Sequence, residues 1–353
     1  MKKQSITLGL TFDDVLLEPR ESRVSRDDIR LETKLTKKIK LQIPIIAAAM
    51  DTVSEVEMAV ALGKQGGMAV IHRNCSVEEQ VKMVTLVKKT GVLVGAAVGA
   101  GDLERAQALD KAGVDAIFVD TAHAHNMRAI DGAKKIKKSI KAALIVGNIA
   151  TKEAALELAK FADGIKVGIG PGSICTTRIV AGIGVPQLTA LLNVCEVAQK
   201  YGIPVIADGG MKYSGDAVKA LAAGASSIMT GSMLAGTDES PGKIITVDGK
   251  KFKSHRGMGS LAVMKGNKSS DRYFQKNVKT YVPEGVEAMV PYKGPVADAI
   301  DQLTGGIKSG MGYIGAATIA DMPKRARFIQ ITQAGLIESH PHSIQITKKA
   351  PNY

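Results

Sequence analysis

Residues 203–232 read IPVIADGGMKYSGDAVKALAAGASSIMTGS. An unbroken apolar run, IPVIA, ends in Asp208, Gly209 and Gly210; a second, SSIM, ends in Thr230, Gly231 and Ser232. Apolar runs that do not alternate with polar residues suit strands covered on both faces, as in a parallel sheet. The same unit recurs upstream as IPIIAAAM (43–50), GMAVIH (67–72), VLVGAAVG (92–99), VDAIFVD (114–120), AALIVGN (142–148) and GIKVGIG (164–170), eight in all. Between them lie segments of helical periodicity, such as DLERAQALDKAG and TKEAALELAKFADG. Eight strand and helix units predict a single α/β domain, a (β/α)8 TIM barrel over residues 1–353. The competing architecture, an open doubly wound sheet, wants Gly-x-Gly-x-x-Gly after its first strand, and none stands there.

In a barrel, chemistry gathers where strands end. Those ends carry Met50 and Asp51, His72 and Arg73, Asp120 and Thr121, Asn148, the run from Gly168 to Cys175, Asp208 to Gly210, and Gly231 with Ser232. Glycines after the seventh and eighth runs let backbone N–H groups approach a phosphate, although turns alone also use them. Asp208 reads as an acceptor for ligand hydroxyls or as a helix cap. Cys175, in GIGPGSICTTR (168–178), is an activated thiolate near Arg178 and a helix start, or an inert thiol. Residues 236–320 break the rhythm, and so long an irregular insertion is a lid over the site or disordered.

The 353 residues hold 45% hydrophobic side chains, enough for a large core. Lys and Arg outnumber Asp and Glu by 47 to 34, so the surface favours anions. The basic residues are scattered and aromatics make up 4%, which argues against a nucleic-acid footprint. Three cysteines without close spacing make neither a disulfide framework nor a zinc site, which points to a reducing cytosol. His123, His125, His340 and His342 lack a third metal ligand at suitable spacing. No run of about 20 apolar residues crosses a membrane.

The stretch GIGPGSICTTRIVAGIGVPQ resembles the active-site loop of the inosine 5′-monophosphate (IMP) dehydrogenase family. So do TFDDVLLEP, AAMDTVSE, VDTAHAH, IADGGMKYSGD, LAGTDESPG, RGMGSLAVM, DRYFQ, VPEGVEAMVPYKG, SGMGYIGA and ESHPHS. The resemblance implies oxidation of IMP to XMP with NAD, the committed step of guanine nucleotide synthesis, in a cytoplasmic homotetramer. Cys175 would form a covalent thioimidate with the purine. A mobile flap would then bring Arg272 and Tyr273 to a water, with Thr177 and Glu284 as a second proton route. Ser173, Asp208, Gly209, Gly210, Gly231, Ser232, His255, Met50, Met258, Gly259 and Glu284 would hold IMP. Asp120, Thr121, Asn148, Gly168 and Gly170 would line the nicotinamide side. A monovalent cation, usually potassium, would be held by the carbonyls of Gly170, Gly172 and Cys175, joined by Glu338, Ser339 and His340 of an adjacent subunit.

This chain departs from the family pattern at two places. The family commonly has a tyrosine where His255 stands, and a protonated imidazole there would make IMP affinity fall as pH rises past neutrality. Family members usually insert a pair of regulatory CBS modules, and the chain runs past that point, near Thr90 and Gly91, without them. The nearest alternative is GMP reductase, which uses NADPH and a similar cysteine loop; an idle, nucleic-acid-binding barrel is the alternative of a different class.

Overall fold

The computed structural model describes residues 6–265, 270–273, 275, 280–348 and 350–352. Each of the eight apolar runs contains a strand: β1 (Ile45–Ala47), β2 (Met68–Ile71), β3 (Val94–Val98), β4 (Ala116–Asp120), β5 (Ala143–Ile149), β6 (Gly164–Val167), β7 (Val205–Asp208) and β8 (Ser227–Thr230). They pair in chain order as one closed parallel barrel, with β8 returning to β1 through Ile228 opposite Ile45 and Thr230 opposite Ala47. A principal helix follows each strand: α1 (Val56–Lys64), α2 (Val77–Lys88), α3 (Leu103–Lys111), α4 (Met127–Ser139), α5 (Lys152–Leu158), α6 (Gln187–Tyr201), α7 (Ser214–Ala222) and α8 (Val296–Ile314). The expected TIM barrel is the observed one.

Strand side chains alternate between two cores, because successive residues of a strand face opposite sides. Ile45, Ala47, Ile117, Val119, Ile165, Val167, Val205 and Ala207 face outward and pack with the helices. Ile46, Met68, Val70, Phe118, Ile145, Ile206 and Met229 face the barrel axis. The hairpin of Thr33–Lys34 with Lys40–Leu41 adds Leu35 and Leu41 to that inner cluster. Continuing the alternation one step along β4, β6 and β7 turns Asp120, Lys166 and Asp208 inward, so the inner layer becomes polar at its upper end.

The irregular insertion expected over 236–320 is shorter and more ordered than that. Residues 296–314 within it are α8, whose buried Val296, Ile300, Leu303, Ile307, Met311 and Ile314 keep helical spacing. Its glycines disguise the helix in the sequence, yet they serve close packing on α7. A Cβ on Gly306 would stand 2.2 Å from Ser214 Oγ, and one on Gly310 would stand 2.5 Å from Val218. The excursion therefore occupies 231–295. It contains an antiparallel sheet of β9 (Ile244–Val247), β10 (Lys250–Arg256) and β11 (Glu287–Pro291), and a 3-10 turn, Ser270–Tyr273. Lys253 of β10 ties this sheet to the barrel: its buried ammonium donates to the carbonyls of Thr237, Asp238 and Ser240. Phe274 of the DRYFQ motif lies outside the described residues.

The link across Thr90 and Gly91 is an exposed turn, with Gly91 at φ +79°. It joins the end of α2 to the start of β3, so it lies at the barrel end opposite the strand C-termini. Among the described residues no helix is long and apolar enough to cross a membrane.

Candidate active site

The loop after β6 begins with Gly168, at φ +152°, where a Cβ would stand 2.2 Å from the carbonyl oxygen of Asp208. Only glycine fits so close an approach in that backbone region. Gln187 clamps the same two strand ends, donating to the carbonyls of Val167 (2.9 Å) and Asp208 (3.1 Å). The loop then runs through Gly170, Pro171, Gly172 and Ser173 to Cys175, and the short helix Thr177–Val180 follows. Cys175 is a half-buried free thiol. Its Sγ lies 3.3 Å from Thr177 Oγ1, which in turn donates to Glu284 Oε2 at 2.7 Å. Main-chain bonds from Thr176 N–H to Glu284 O and from Val286 N–H to Ile174 O fix the loop to the segment before β11.

Two connected lobes open beside this loop, sharing Met50, Gly172, Ile174, Asp208 and Gly209, and the thiol borders the smaller of them. The larger, about 560 Å³, is bordered by Ser173, Gly210, Gly231, Ser232 and His255. The smaller, about 150 Å³, is bordered by Asp120, Thr121, Asn148, Gly168, Gly170, Met258, Gly259 and Glu284, and it contains Arg272 and Tyr273. Every substrate, cofactor and catalytic residue expected from the sequence borders one lobe or the other.

The flap is docked. Arg272 forms an ion pair with Asp120, and its carbonyl accepts from Ala122 N–H. Asp271 is held by Arg73 Nη1 through both carboxylate oxygens, at 2.9 and 3.0 Å. The Tyr273 ring lies so near Gly259 that a Cβ there would be 2.6 Å from it. Burial lowers the Arg272 pKa, against the Tyr273 hydroxyl beside it, and burial raises the Tyr273 pKa. Arg272 Nε, also buried, has no hydrogen-bond partner among the described residues.

His255 departs from the sequence expectation. It is 2% exposed, its Nδ1 lies 3.2 Å from Thr52 Oγ1, and burial holds its pKa down to about 4 although Asp51 pulls upward. The imidazole is neutral near pH 7, so the added charge expected from it at the larger lobe is not there. Its neighbour Arg256 is engaged with Asp51, which also accepts from Asn74 Nδ2.

The two groups expected to share a cation stand on different segments of one chain. Gly170, Gly172 and Cys175 belong to the thiol loop, whereas Glu338 ends the helix Gln333–Glu338 and the His340 ring lies edge-on to Tyr213 at 5.9 Å. The loop offers neutral carbonyl oxygens, a donor type suited to a weakly hydrated monovalent ion. No cluster of three or more His, Cys, Asp or Glu fit to hold a metal occurs among the described residues. Cys195 is inert, its thiol pKa pushed up to about 12 by burial.

Sequence reasoning passed over Lys166, for which the available signal was a lysine inside an apolar strand. Arg73 was placed at a strand end and Asp271 within DRYFQ, but neither was given a role, because they meet across 198 residues.

Residues 9–342 match the model of the IMP dehydrogenase / GMP reductase domain. Among curated proteins, the chain is 46% identical to the inosine-5′-monophosphate dehydrogenase of Cryptosporidium parvum, with all of both chains covered. It is 42% identical to that of Methanocaldococcus jannaschii (97% of each chain) and 40% identical to that of Aquifex aeolicus (99% of each). The last two alignments run over 480 and 483 residues against 353 here, so those relatives carry well over a hundred residues without a counterpart in this chain. With the thiol loop, the glycine-lined lobe and the docked Arg-Tyr turn all inside the matched span, the chain belongs to the IMP dehydrogenase / GMP reductase family.

Proposed function

We propose that the protein oxidises IMP to XMP with NAD through a covalent adduct on Cys175. The observation that carries this reading is a half-buried thiol in the smaller lobe, on a loop whose Pro171, Gly172 and Ile174 border both lobes, with Thr177 and Glu284 hydrogen-bonded beside it and Arg272 and Tyr273 in the same lobe. A nucleotide in the larger lobe sets its phosphate among Ser173, Gly210, Gly231, Ser232 and the neutral His255. Its ribose hydroxyls donate to Asp208, and its base reaches past Met50 into the smaller lobe, beside Met258, Gly259 and Glu284. The sulfur adds to the purine carbon between the two ring nitrogens, and that carbon's hydrogen departs with its electron pair, leaving a thioimidate.

NAD, when bound, supplies the hydride acceptor. The smaller lobe suits it: a planar ring, that of Tyr273, already lies against Gly259, and Asp120, Thr121 and Asn148 supply polar edges. Flap and nicotinamide therefore take turns. With the flap docked, water adds at the same carbon, its proton passes to a base, and the carbon–sulfur bond breaks to release XMP. Two routes accept that proton. Burial makes Arg272 a better base than a solvated guanidinium, and its unpartnered Nε offers a seat for the water. Thr177 is hydrogen-bonded to the Glu284 carboxylate, so a proton taken by the hydroxyl has an onward acceptor.

A potassium ion on the loop carbonyls, completed by Glu338, Ser339 and His340 of a neighbouring copy in a homotetramer, belongs to the same reading. So does a reducing, cytoplasmic setting, in keeping with three free thiols.

The test is direct. The protein is expected to raise absorbance at the NADH band with IMP and NAD, and to leave GMP with NADPH unchanged. Mass spectrometry after quenching should show a nucleotide on Cys175, and Cys175→Ala should lose both adduct and turnover. Turnover by the alanine variant at the normal pace would overturn the covalent route, and activity with GMP and NADPH alone would assign the reductase reaction instead.

A further inference from the structure

The barrel axis carries an ionic group that the proposed chemistry leaves unused. Lys166 is 3% exposed, and its Nζ stands 2.5 Å from Asp208 Oδ2 and 3.0 Å from Asp120 Oδ1. It also donates to Asn148 Oδ1, while Asn148 Nδ2 donates to Asp208 Oδ2 at 2.9 Å and to the Gly168 carbonyl at 2.7 Å. The four side chains come from four consecutive strands, β4 to β7. Room for the lysine is made by Gly147, where a Cβ would stand 2.6 Å from Lys166 Cβ.

Packing alone does not call for this arrangement, because the interior of such a barrel is ordinarily filled by branched apolar side chains. Burying an ammonium and a carboxylate carries a large desolvation penalty, and apolar residues of similar volume often do as well or better for stability. What the lysine adds is a link between two places that act at different times. Asp208 borders the nucleotide lobe, and Asp120 is the seat of Arg272 on the flap. The charges alternate along one line: Asp208, Lys166, Asp120, Arg272.

We propose that Lys166 is a positioning residue that joins the nucleotide lobe to the flap, one shared ammonium orienting both the Asp208 carboxylate and the Asp120 carboxylate that seats Arg272. Without that ammonium the buried Asp120 carboxylate and the partly buried Asp208 carboxylate lose their shared counter-ion, and each turns from its place. The ribose then loses its acceptor and the flap loses its seat, although Lys166 itself takes no part in bond making. This inference rests on the function proposed above.

Lys166→Met, Lys166→Arg and the wild-type protein are to be compared with IMP and NAD in steady-state and rapid-quench assays. Methionine nearly matches lysine in shape without its charge, whereas arginine keeps the charge in a larger group. For Lys166→Met the expected result is a KM for IMP raised about tenfold or more, together with a hydrolysis step slowed more than hydride transfer. Lys166→Arg should recover a substantial part of both. A packing role gives the reverse order, with methionine tolerated and arginine damaging, and that outcome overturns the inference.

Should the methionine variant fail to fold, Asp120→Asn, Asp208→Asn and their double variant carry the test, each read as the KM for IMP and the hydrolysis rate. Carboxylates sharing one ammonium give effects that depart from the product of the single variants by more than about threefold. Simple multiplication of the two effects overturns the link. If the wild-type protein does not reduce NAD with IMP at all, the functional reading fails and the inference falls with it; wild-type turnover with an indifferent Lys166→Met defeats the inference alone.

Discussion

Cys175 sits where a strand has ended and a helix has not yet begun, held by main-chain bonds on both sides, so its sulfur faces a cavity without being free to wander. At this scale the proposed division of labour makes a sharp prediction. Arg272→Ala should slow hydrolysis far more than hydride transfer, so that a rapid first burst of NADH precedes a much slower steady rate; equal losses in both phases would discard the two-step scheme. His255 makes another. Its folded pKa of about 4 lies below the ordinary histidine value of 6.5, so the unfolded chain binds more protons between those values. Stability is full above about pH 6.5 and falls as pH is lowered through the window, by up to about 3 kcal/mol. Urea unfolding between pH 4.5 and 7 should show a shallower slope for His255→Gln than for wild type, and coincident slopes would refute the assignment. For the same reason His255 should contribute no change in the KM for IMP between pH 6 and 8, contrary to what its residue type alone implies. The thiol, its hydroxyl partner and the flap pair were legible because each sits in a distinctive local string. Lys166 was not, because its meaning comes from neighbours on other strands, and the neutrality of His255 comes from burial that a string of letters does not display.

Among the elements, the turn Ser270–Tyr273 is held by few anchors: Arg73 on Asp271, Arg272 on Asp120, and the Tyr273 ring against Gly259. Arg73→Met removes the first of these without touching either lobe. On the function proposed above, in which the turn and the nicotinamide take turns in one space, the docked turn should then be less populated, hydrolysis should slow by about tenfold, and the KM for NAD should fall. A raised KM for NAD with unchanged hydrolysis would contradict that competition. On the far side of the barrel, Gly310→Leu in α8 should destabilise the fold by about 3 kcal/mol or more in denaturant titration, since the added side chain meets Val218 of α7. The strands were readable from their unbroken apolar runs. Helix α8 was hidden by the glycines that let it approach α7, which interrupt the composition of a helix while its apolar spacing persists. The sheet β9 to β11 was also hidden, since two of its three strands are largely exposed and lack an apolar face to advertise them.

For the whole molecule, the formal charge of +13 fits a preference for phosphorylated ligands without requiring nucleic acid. Turnover with IMP and NAD is expected to change little between 50 and 200 mM salt, whereas retention on a polyanion should collapse over that range. The architecture was legible because eight similar units leave few ways to arrange themselves. The turn at Thr90 and Gly91 is exposed and remote from the strand ends that form the site. Closure of the barrel depends on β8 meeting β1, nearly two hundred residues earlier in the chain. Until that last strand emerges from the ribosome, the first and seventh strands each present an unpaired edge to their surroundings, and nascent chains ending before residue 227 carry two adhesive margins that the finished ring erases.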